Sequence, residues 1–197
     1  MEENFDALEV IAHTRGKVDM DKAPTGESLF LLWGTLTAGF FLLQFVLWEL
    51  LLQPWCLWVW AGTVLIGWPW MILLLRKDHN RTHCRTHEAK VILDIWVFIG
   101  AACAIGGFVF GLADKFEWFA MPLISLLIGI GAFVTGEINR FRPKIIGGLA
   151  GAVIGIISFT LQGELWTWQM LSLALVSVVS LVIPGFLYKK SVKINGI

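Results

Sequence analysis

The residues of this chain best suited to metal or acid–base chemistry lie close together between positions 78 and 88. Three of the four histidines occur in this stretch, at His79, His83 and His87. If the stretch is helical, these histidines lie along one face, and two of them four residues apart can chelate one metal ion. Because His79 and His87 would lie about 12 Å apart along the axis, a complete site would need Cys84, Glu88 or a second subunit.

The charge of the same stretch favours two other interpretations. Arg81 and Arg85 alternate with the histidines and would oppose a bound cation. Histidine changes its charge near neutral pH, so His79, His83 and His87 could instead form a pH-sensitive contact. A solvated basic loop without a ligand also accounts for these residues, and the sequence leaves the three interpretations open.

Carboxylates near the ends of apolar segments form a second set of candidates. Asp94 and Glu137 are predicted at a similar depth near the inner ends of two neighbouring spans, and Glu49 near the outer end of another. An ionisable group in hydrocarbon is costly, so it usually has a partner or a function. We predict an inner-interface ion-pair cluster of Asp94 and Glu137 with Arg140 and Arg142. The alternative is a proton or cation relay, which would need further polar steps at Thr37, Gln44, Thr63, Ser158 and Thr160.

The common catalytic and cofactor motifs are absent from the sequence. It has no HExxH zinc pair, no GxSxG nucleophile turn, no CxxC redox pair and no phosphate-binding Gly-Lys-Ser/Thr loop. We therefore predict no catalytic residues, no cofactor and a non-enzymatic role. A membrane enzyme is the third hypothesis for the function, and it requires polar side chains to converge around Asp94, Glu137, Asn139 and Arg140.

The elements that must position these residues are apolar segments. Of the 197 residues, 57% are hydrophobic and only 15% are charged, which lies outside the range of soluble globular domains. Backbone groups cannot stay unpaired in lipid, so apolar segments of about twenty residues must be helices. We predict an all-α polytopic membrane protein with six transmembrane helices, at residues 28–52, 57–75, 91–112, 118–138, 145–161 and 166–188. The short outer turns pair these helices as three antiparallel hairpins.

The distribution of charge predicts the orientation of the chain. Fourteen of the fifteen lysines and arginines fall in the termini or in every second break between spans, and only Lys115 lies on the other side. Basic residues concentrate on the cytoplasmic side, so we predict both termini in the cytoplasm and the protein in a bacterial inner membrane. Tryptophans, which favour membrane interfaces, mark the opposite ends of the spans at Trp48, Trp55, Trp58, Trp60, Trp118, Trp166 and Trp168.

Small residues at helical spacing predict how the spans pack. Glycines let helix backbones approach closely, and this contact holds helices together in lipid. Span five carries two such faces, and we take the two consecutive GxxxG units of Gly147, Gly151 and Gly155 as the stronger seam over the face of Gly148, Ala152 and Gly155. Pro69 and Pro184 are expected to kink spans two and six. The full set of predicted packing residues is Gly100, Ala104, Gly107, Gly111, Gly129, Gly136, Gly147, Gly151 and Gly155.

Two cytoplasmic tails flank the membrane domain, residues 28–188. Residues 1–27 carry seven acids against three bases, a formal charge of −4, whereas residues 189–197 are basic. An acidic tail suits neither nucleic acid nor an anionic membrane surface, so we predict no nucleic-acid partner. Phe5, Leu8 and Ile11 recur at helical spacing and predict a short amphipathic helix that docks in a groove on a cytoplasmic or membrane protein partner.

Three short segments of the sequence resemble those of a known protein family. Residues 6–12 (Asp-Ala-Leu-Glu-Val-Ile-Ala), 30–34 (Phe-Leu-Leu-Trp-Gly) and 182–185 (Val-Ile-Pro-Gly) occur in an order that resembles a family of small bacterial six-helix inner-membrane proteins of unassigned activity. The resemblance implies the same topology, and it implies no activity and no site residues. The sequence therefore favours an integral membrane protein with an interaction or regulatory role. A small-solute or ion transporter is the alternative, and the small faces of span five allow a homodimer.

Overall fold

The fold is entirely helical wherever it is described. The computed structural model describes residues 28–50, 59, 61–79, 87–112 and 117–194, and every regular element in these residues is a helix, which confirms the all-α prediction. The helices are α1 (Ser28–Leu50), α2 (Ala61–His79), α3 (His87–Leu112), α4 (Ala120–Ile138), α5 (Arg142–Ser158), α6 (Trp168–Ser177) and α7 (Ile183–Ile194). A π-helical segment, Val178–Val182, joins α6 to α7, and 3-10 turns at Glu117–Phe119 and Gly163–Leu165 lie in the α3–α4 and α5–α6 connections.

Three helices in the described residues are long and apolar enough to cross a membrane. They are Ser28–Leu50, Ala120–Ile138 and Trp168–Ser191, the last of which runs without interruption from α6 through the π segment into α7. The structure therefore supports spanning helices in three of the six predicted positions. Helix α5 has 17 residues, fewer than the about twenty that cross a hydrocarbon core at right angles. Helix α2 contains a shorter apolar run, Leu65–Leu74, and continues past Pro69 to His79.

A tight turn joins α4 to α5 and makes them an antiparallel pair. The Phe141 N–H donates to Gly136 O at 2.9 Å and the Arg140 N–H donates to Glu137 O at 3.1 Å. This pattern is a Schellman motif, in which the residue after the helix cap takes a left-handed conformation and is usually glycine. Here that residue is Arg140, with φ of 51°. An arginine tolerates this conformation at a cost of about 1 kcal/mol, and its side chain is exposed.

Pro184 changes the hydrogen bonding of the last spanning helix, at the position where a kink was predicted. The Ile183 N–H bonds to Val178 O, five residues back, so the turn before the proline is π-helical. Pro184 has no N–H to offer to the carbonyl of Ser180. The side chain of Ser180 makes a separate bond, in which its hydroxyl donates to Gly147 O of α5 at 3.0 Å. The irregular segment is therefore tied to its neighbour by a buried hydrogen bond.

Small residues bring the backbones of α4 and α5 into direct contact. A Cβ built on Gly155 would lie 2.6 Å from the Leu126 backbone nitrogen, and one on Gly129 would collide with the backbone of Ala152. Such contacts leave no room for a side chain, and a substitution there must separate the two helices. Two further pairs repeat the contact along the same seam, Gly136 with Ile145 and Gly148 with Phe133.

The glycines of α5 divide between two neighbours, which differs from the predicted single seam of Gly147, Gly151 and Gly155. Gly147 and Gly151 face the last spanning helix at Val179 and Ser180, whereas Gly155 faces α4. Residues four apart advance by 40° around a helix of 3.6 residues per turn. Over eight residues the face therefore rotates by about 80°, from one neighbouring helix to the next. Residues seven apart drift by only about 20°, so Gly148 and Gly155 share the α4 face.

Of the four predicted packing residues of α3, the structure describes the packing environment only of Gly100. Gly100 is exposed, and a Cβ added to it would meet no heavy atom of another described element within 4 Å. Gly100 therefore contacts no other described element, and its predicted role in helix packing stays a prediction. The other three predicted packing residues of α3 lie outside the described side chains: Ala104, Gly107 and Gly111.

Candidate functional site

A fully buried lysine at the start of α5 is the most unusual feature of the described residues. Lys144 has 0% of its surface exposed, and its Nζ lies 3.7 Å from the centroid of the Phe30 ring. Burying an ammonium group is costly unless other groups compensate its charge. The face of an aromatic ring attracts a cation, by about 2 kcal/mol when the pair is desolvated. Phe30, in the first turn of α1, is therefore one of the groups that stabilise the buried charge.

The same ring extends the site to two further helices. Phe30 packs edge-on against Trp96 of α3, with ring centroids 4.9 Å apart. The Trp96 Nε1–H donates to Thr135 Oγ1 of α4 at 2.9 Å, and that hydroxyl donates to Gly131 O at 2.7 Å. We call Lys144, Phe30, Trp96 and Thr135 the Lys144 site. It joins α5, α1, α3 and α4 at one end of the bundle, and the indole N–H and the hydroxyl in it are both hydrogen-bonded.

The geometry of the Lys144 site is better suited to holding helices together than to catalysing a reaction. Lys144 is inaccessible to solvent, so no substrate reaches its amine in this conformation. Phe30 is the third residue of α1, whose first residue is Ser28. The site therefore fixes the point at which the acidic segment, residues 1–27, enters the bundle.

Lys144 is absent from the predicted site residues, because the sequence restricts it to a helix face but does not show which helix covers that face. It lies four residues before Gly148 and eleven before Gly155. These spacings place Lys144 on the same helix face as the two glycines. Because that face packs against α4, a lysine on it must be buried. The charge distribution of the sequence places it only among the basic residues of the predicted cytoplasmic side.

The predicted ion-pair cluster lies at the same end of the bundle as the Lys144 site. Asp94, Glu137, Arg140 and Arg142 are all exposed. Among the described residues, the structure contains no ion pair between any two of them. Asn139, which a membrane enzyme would need beside them, is exposed as well. The ion-pair cluster stays a prediction, and the buried charge of this region belongs to Lys144.

The histidine-rich stretch lies largely outside the described residues. His79 is the last residue of α2 and His87 the first of α3, but their side chains, and all of His83 and Cys84, are outside the described part of the chain. Among the side chains that are described, no group of three or more His, Cys, Asp or Glu could hold a metal ion. The docking residues Phe5, Leu8 and Ile11 also lie outside the described residues. Metal binding, pH sensing and partner docking stay predictions.

The polar residues predicted for a relay form no continuous path in the described residues. Gln44 is 1% exposed, and its Oε1 has no hydrogen-bond partner there, nor does Thr63 Oγ1. Ser158 pairs with Ser172 at 2.8 Å, and Thr160 donates to Ile157 O of its own helix at 2.7 Å. These bonds are local, so they would not carry a proton across the bundle.

An aromatic cluster occupies the end of the bundle opposite the Lys144 site. Trp166 lies at its centre, with ring centroids 4.9 Å from Trp48 and 6.2 Å from Trp118. Trp168 contacts Phe45 beside it, at 5.6 Å. The structure thus brings together three of the tryptophans predicted at one interface, and it places Trp168 two residues beyond Trp166. The remaining three lie outside the described residues: Trp55, Trp58 and Trp60.

No protein-family model, curated protein or solved structure matches this chain.

Proposed function

We propose that this chain is a six-helix integral protein of a bacterial inner membrane, with both termini in the cytoplasm, that acts by binding a protein partner. Large apolar side chains on the outside of the bundle support the membrane location. Leu65 of α2 and Phe98 of α3 are 73% and 71% exposed. Neither helix is among the three described helices that are long and apolar enough to cross a membrane. Apolar surfaces of this kind favour contact with lipid over water, so α2 and α3 are proposed to lie in the membrane with the others.

The preference for a binding role over transport rests on one observation, the close backbone contact between α4 and α5. Transporters alternate around a cavity near the middle of the membrane. Here Gly129 and Gly155 bring the two central backbones into contact, which leaves no space for a solute between them at these positions. A rigid centre of this type suits a protein that presents surfaces or tails to a partner.

A transporter is the second candidate, and Gln44 is the observation that favours it. Its side chain is buried in the described core, and its Oε1 accepts no hydrogen bond there. A buried acceptor without a partner is costly, and a bound ion or solute in another conformation would satisfy it. If transport is the function, Gln44→Leu abolishes flux in proteoliposomes without loss of folded protein. Unchanged flux in that variant would remove the candidate.

The proposed docking element is the acidic segment before α1. Phe5, Leu8 and Ile11 would form an apolar face, and the segment joins the bundle at Phe30, whose ring covers Lys144. Through Phe30, the Lys144 site thus lies close in sequence to the C-terminal end of the proposed docking segment. This arrangement supports a regulatory role for the segment.

Deleting residues 1–24 is expected to leave membrane insertion intact and to abolish binding of the partner. The measurement is affinity capture from native membranes with mass spectrometry, beside carbonate extraction to check insertion. Replacing Phe5, Leu8 and Ile11 by alanine should have the same effect as the deletion. The matched control is Val10→Ala, because residue 10 would lie on the opposite face of the helix. A partner retained by the deletion, or a deletion that no longer inserts, would refute the docking proposal.

A further inference from the structure

An apolar groove runs along the outside of the bundle beside the start of α5. It is an open groove with a volume of about 360 Å³ between α5 and the last spanning helix. Its walls are apolar side chains from both helices: Pro143 and Ile146 of α5, Val179 of the π segment, and Ile183 and Leu187 of α7. Arg142, the first residue of α5, is the only charged residue among those that line it.

The local helix geometry explains why a groove forms here. The π segment and Pro184 interrupt the regular helix between Val179 and Ile183. Gly147 lies in contact with Val179 and Pro184, and the absence of a side chain there allows α5 and the last spanning helix to approach closely. The irregular backbone of the last spanning helix therefore lies directly against the start of α5 at this groove.

The charge around the groove is complementary to an anion. Arg142 is exposed at the N-terminus of α5, where the helix dipole also favours negative charge. Lys189 and Lys190 are exposed on α7, two and three residues beyond Leu187. A ligand that matches this surface has a long apolar part and a negatively charged end.

We infer that the groove between α5 and α7 binds one acyl chain of an anionic phospholipid, with Arg142 contacting the phosphate. The inference rests on the membrane location proposed above. Basic residues at the cytoplasmic ends of spanning helices select anionic lipids in this way. A zwitterionic lipid fits the groove equally well, but it offers no net negative charge to Arg142, Lys189 and Lys190.

The test is native mass spectrometry of the full chain, released from membranes that contain equal amounts of phosphatidylglycerol and phosphatidylcholine. The wild-type protein should retain one phosphatidylglycerol in preference to phosphatidylcholine. Arg142→Gln should lower that preference roughly five-fold, the effect of one basic residue near an anionic surface. Its matched control is Arg140→Gln, since Arg140 is exposed in the same turn and does not line the groove.

A second variant tests the groove independently of charge. Ile146→Trp should fill the groove and remove the retained lipid of either type, whereas Ile156→Trp, at another exposed position of α5, should not. Equal retention of the two lipids by the wild-type protein, or no change in Arg142→Gln and Ile146→Trp, would overturn the inference. Carbonate extraction of the same proteins separates the two proposals. A chain that resists extraction but shows no lipid preference refutes the lipid site alone, and a chain that is extracted refutes the membrane location as well.

Discussion

At the scale of single residues, the buried lysine determines how one end of the bundle is built. Lys144 has no exposed surface, and its ammonium group lies over the ring of Phe30. Trp96 supports that ring, and Thr135 positions Trp96 through a hydrogen bond of 2.9 Å. Each side chain in the site limits the position of its neighbour. Replacing any one of them should therefore lower the stability of the packing among all four helices that meet there.

Thr135→Val should destabilise the protein by about 1–2 kcal/mol, because it leaves the Trp96 N–H without an acceptor while keeping the side-chain volume. The measurement is the free energy of unfolding in detergent, followed by tryptophan fluorescence. Thr160→Val is the matched control, since its hydroxyl is exposed and bonds only within its own turn. In a double-mutant cycle, Trp96→Phe should remove most of the effect of Thr135→Val. Additive effects would show that the two residues do not depend on each other.

At the scale of elements, the spacing of glycines decides which helices touch. Residues seven apart in α5, Gly148 and Gly155, remain on one face and meet α4, whereas Gly147 and Gly151 turn toward the last spanning helix. Helix α5 therefore has tight contacts on two sides, which makes it the centre of the described bundle. Gly39 of α1 and Gly100 of α3 have no such contact with the described residues and are exposed.

Gly155→Ala should destabilise the bundle by about 1–3 kcal/mol, since its methyl group would lie 2.6 Å from a backbone nitrogen of α4 and force the helices apart. Gly39→Ala is the matched control. With open space around it, the alanine should leave stability unchanged or raise it by up to about 1 kcal/mol. Both are measured as free energies of unfolding in detergent. If the two variants lose equal stability, close packing of α4 and α5 is not what holds the centre together.

At the scale of the whole molecule, the two ends of the bundle differ in chemistry. One end holds the Lys144 site and the exposed charges of Asp94, Glu137, Arg140 and Arg142. The other holds the aromatic cluster centred on Trp166. Cytoplasmic ends of spanning helices are rich in basic residues, and tryptophan is common at membrane interfaces. The proposed orientation places the Lys144 end in the cytoplasm, and this stays a proposal to be tested.

Labelling of single cysteines should place the two ends of α5 on opposite sides of the membrane. Asn139→Cys and Glu164→Cys are a matched pair, because both positions are exposed and lie in the turns that flank α5. In a background with Cys56, Cys84 and Cys103 replaced by alanine, a membrane-impermeant maleimide should label position 164 in intact cells. Position 139 should react only after the cells are permeabilised. Labelling of both positions from one side would show that α5 does not cross, and the reverse pattern would invert the topology.

The sequence by itself determined the properties that depend on local composition. Apolar segments of sufficient length must be helical, so the all-α class followed from the chain alone. The three hairpins predicted from the outer turns did not include the close pair of α4 and α5, which are joined by the turn at residues 139–141. The tryptophans that meet at one end were also identified, since their positions at the ends of apolar segments set their depth.

The tertiary structure alone decided which side chains face a neighbouring helix and which face outward. Helical periodicity restricts a residue to a face, but it does not say which helix covers that face. This is why Gly100 was assigned to a seam and is exposed, and why the glycines of α5 divide between two neighbours. It is also why Lys144, one of several basic residues around the turn in the sequence, proved to be the one whose charge is buried in the fold.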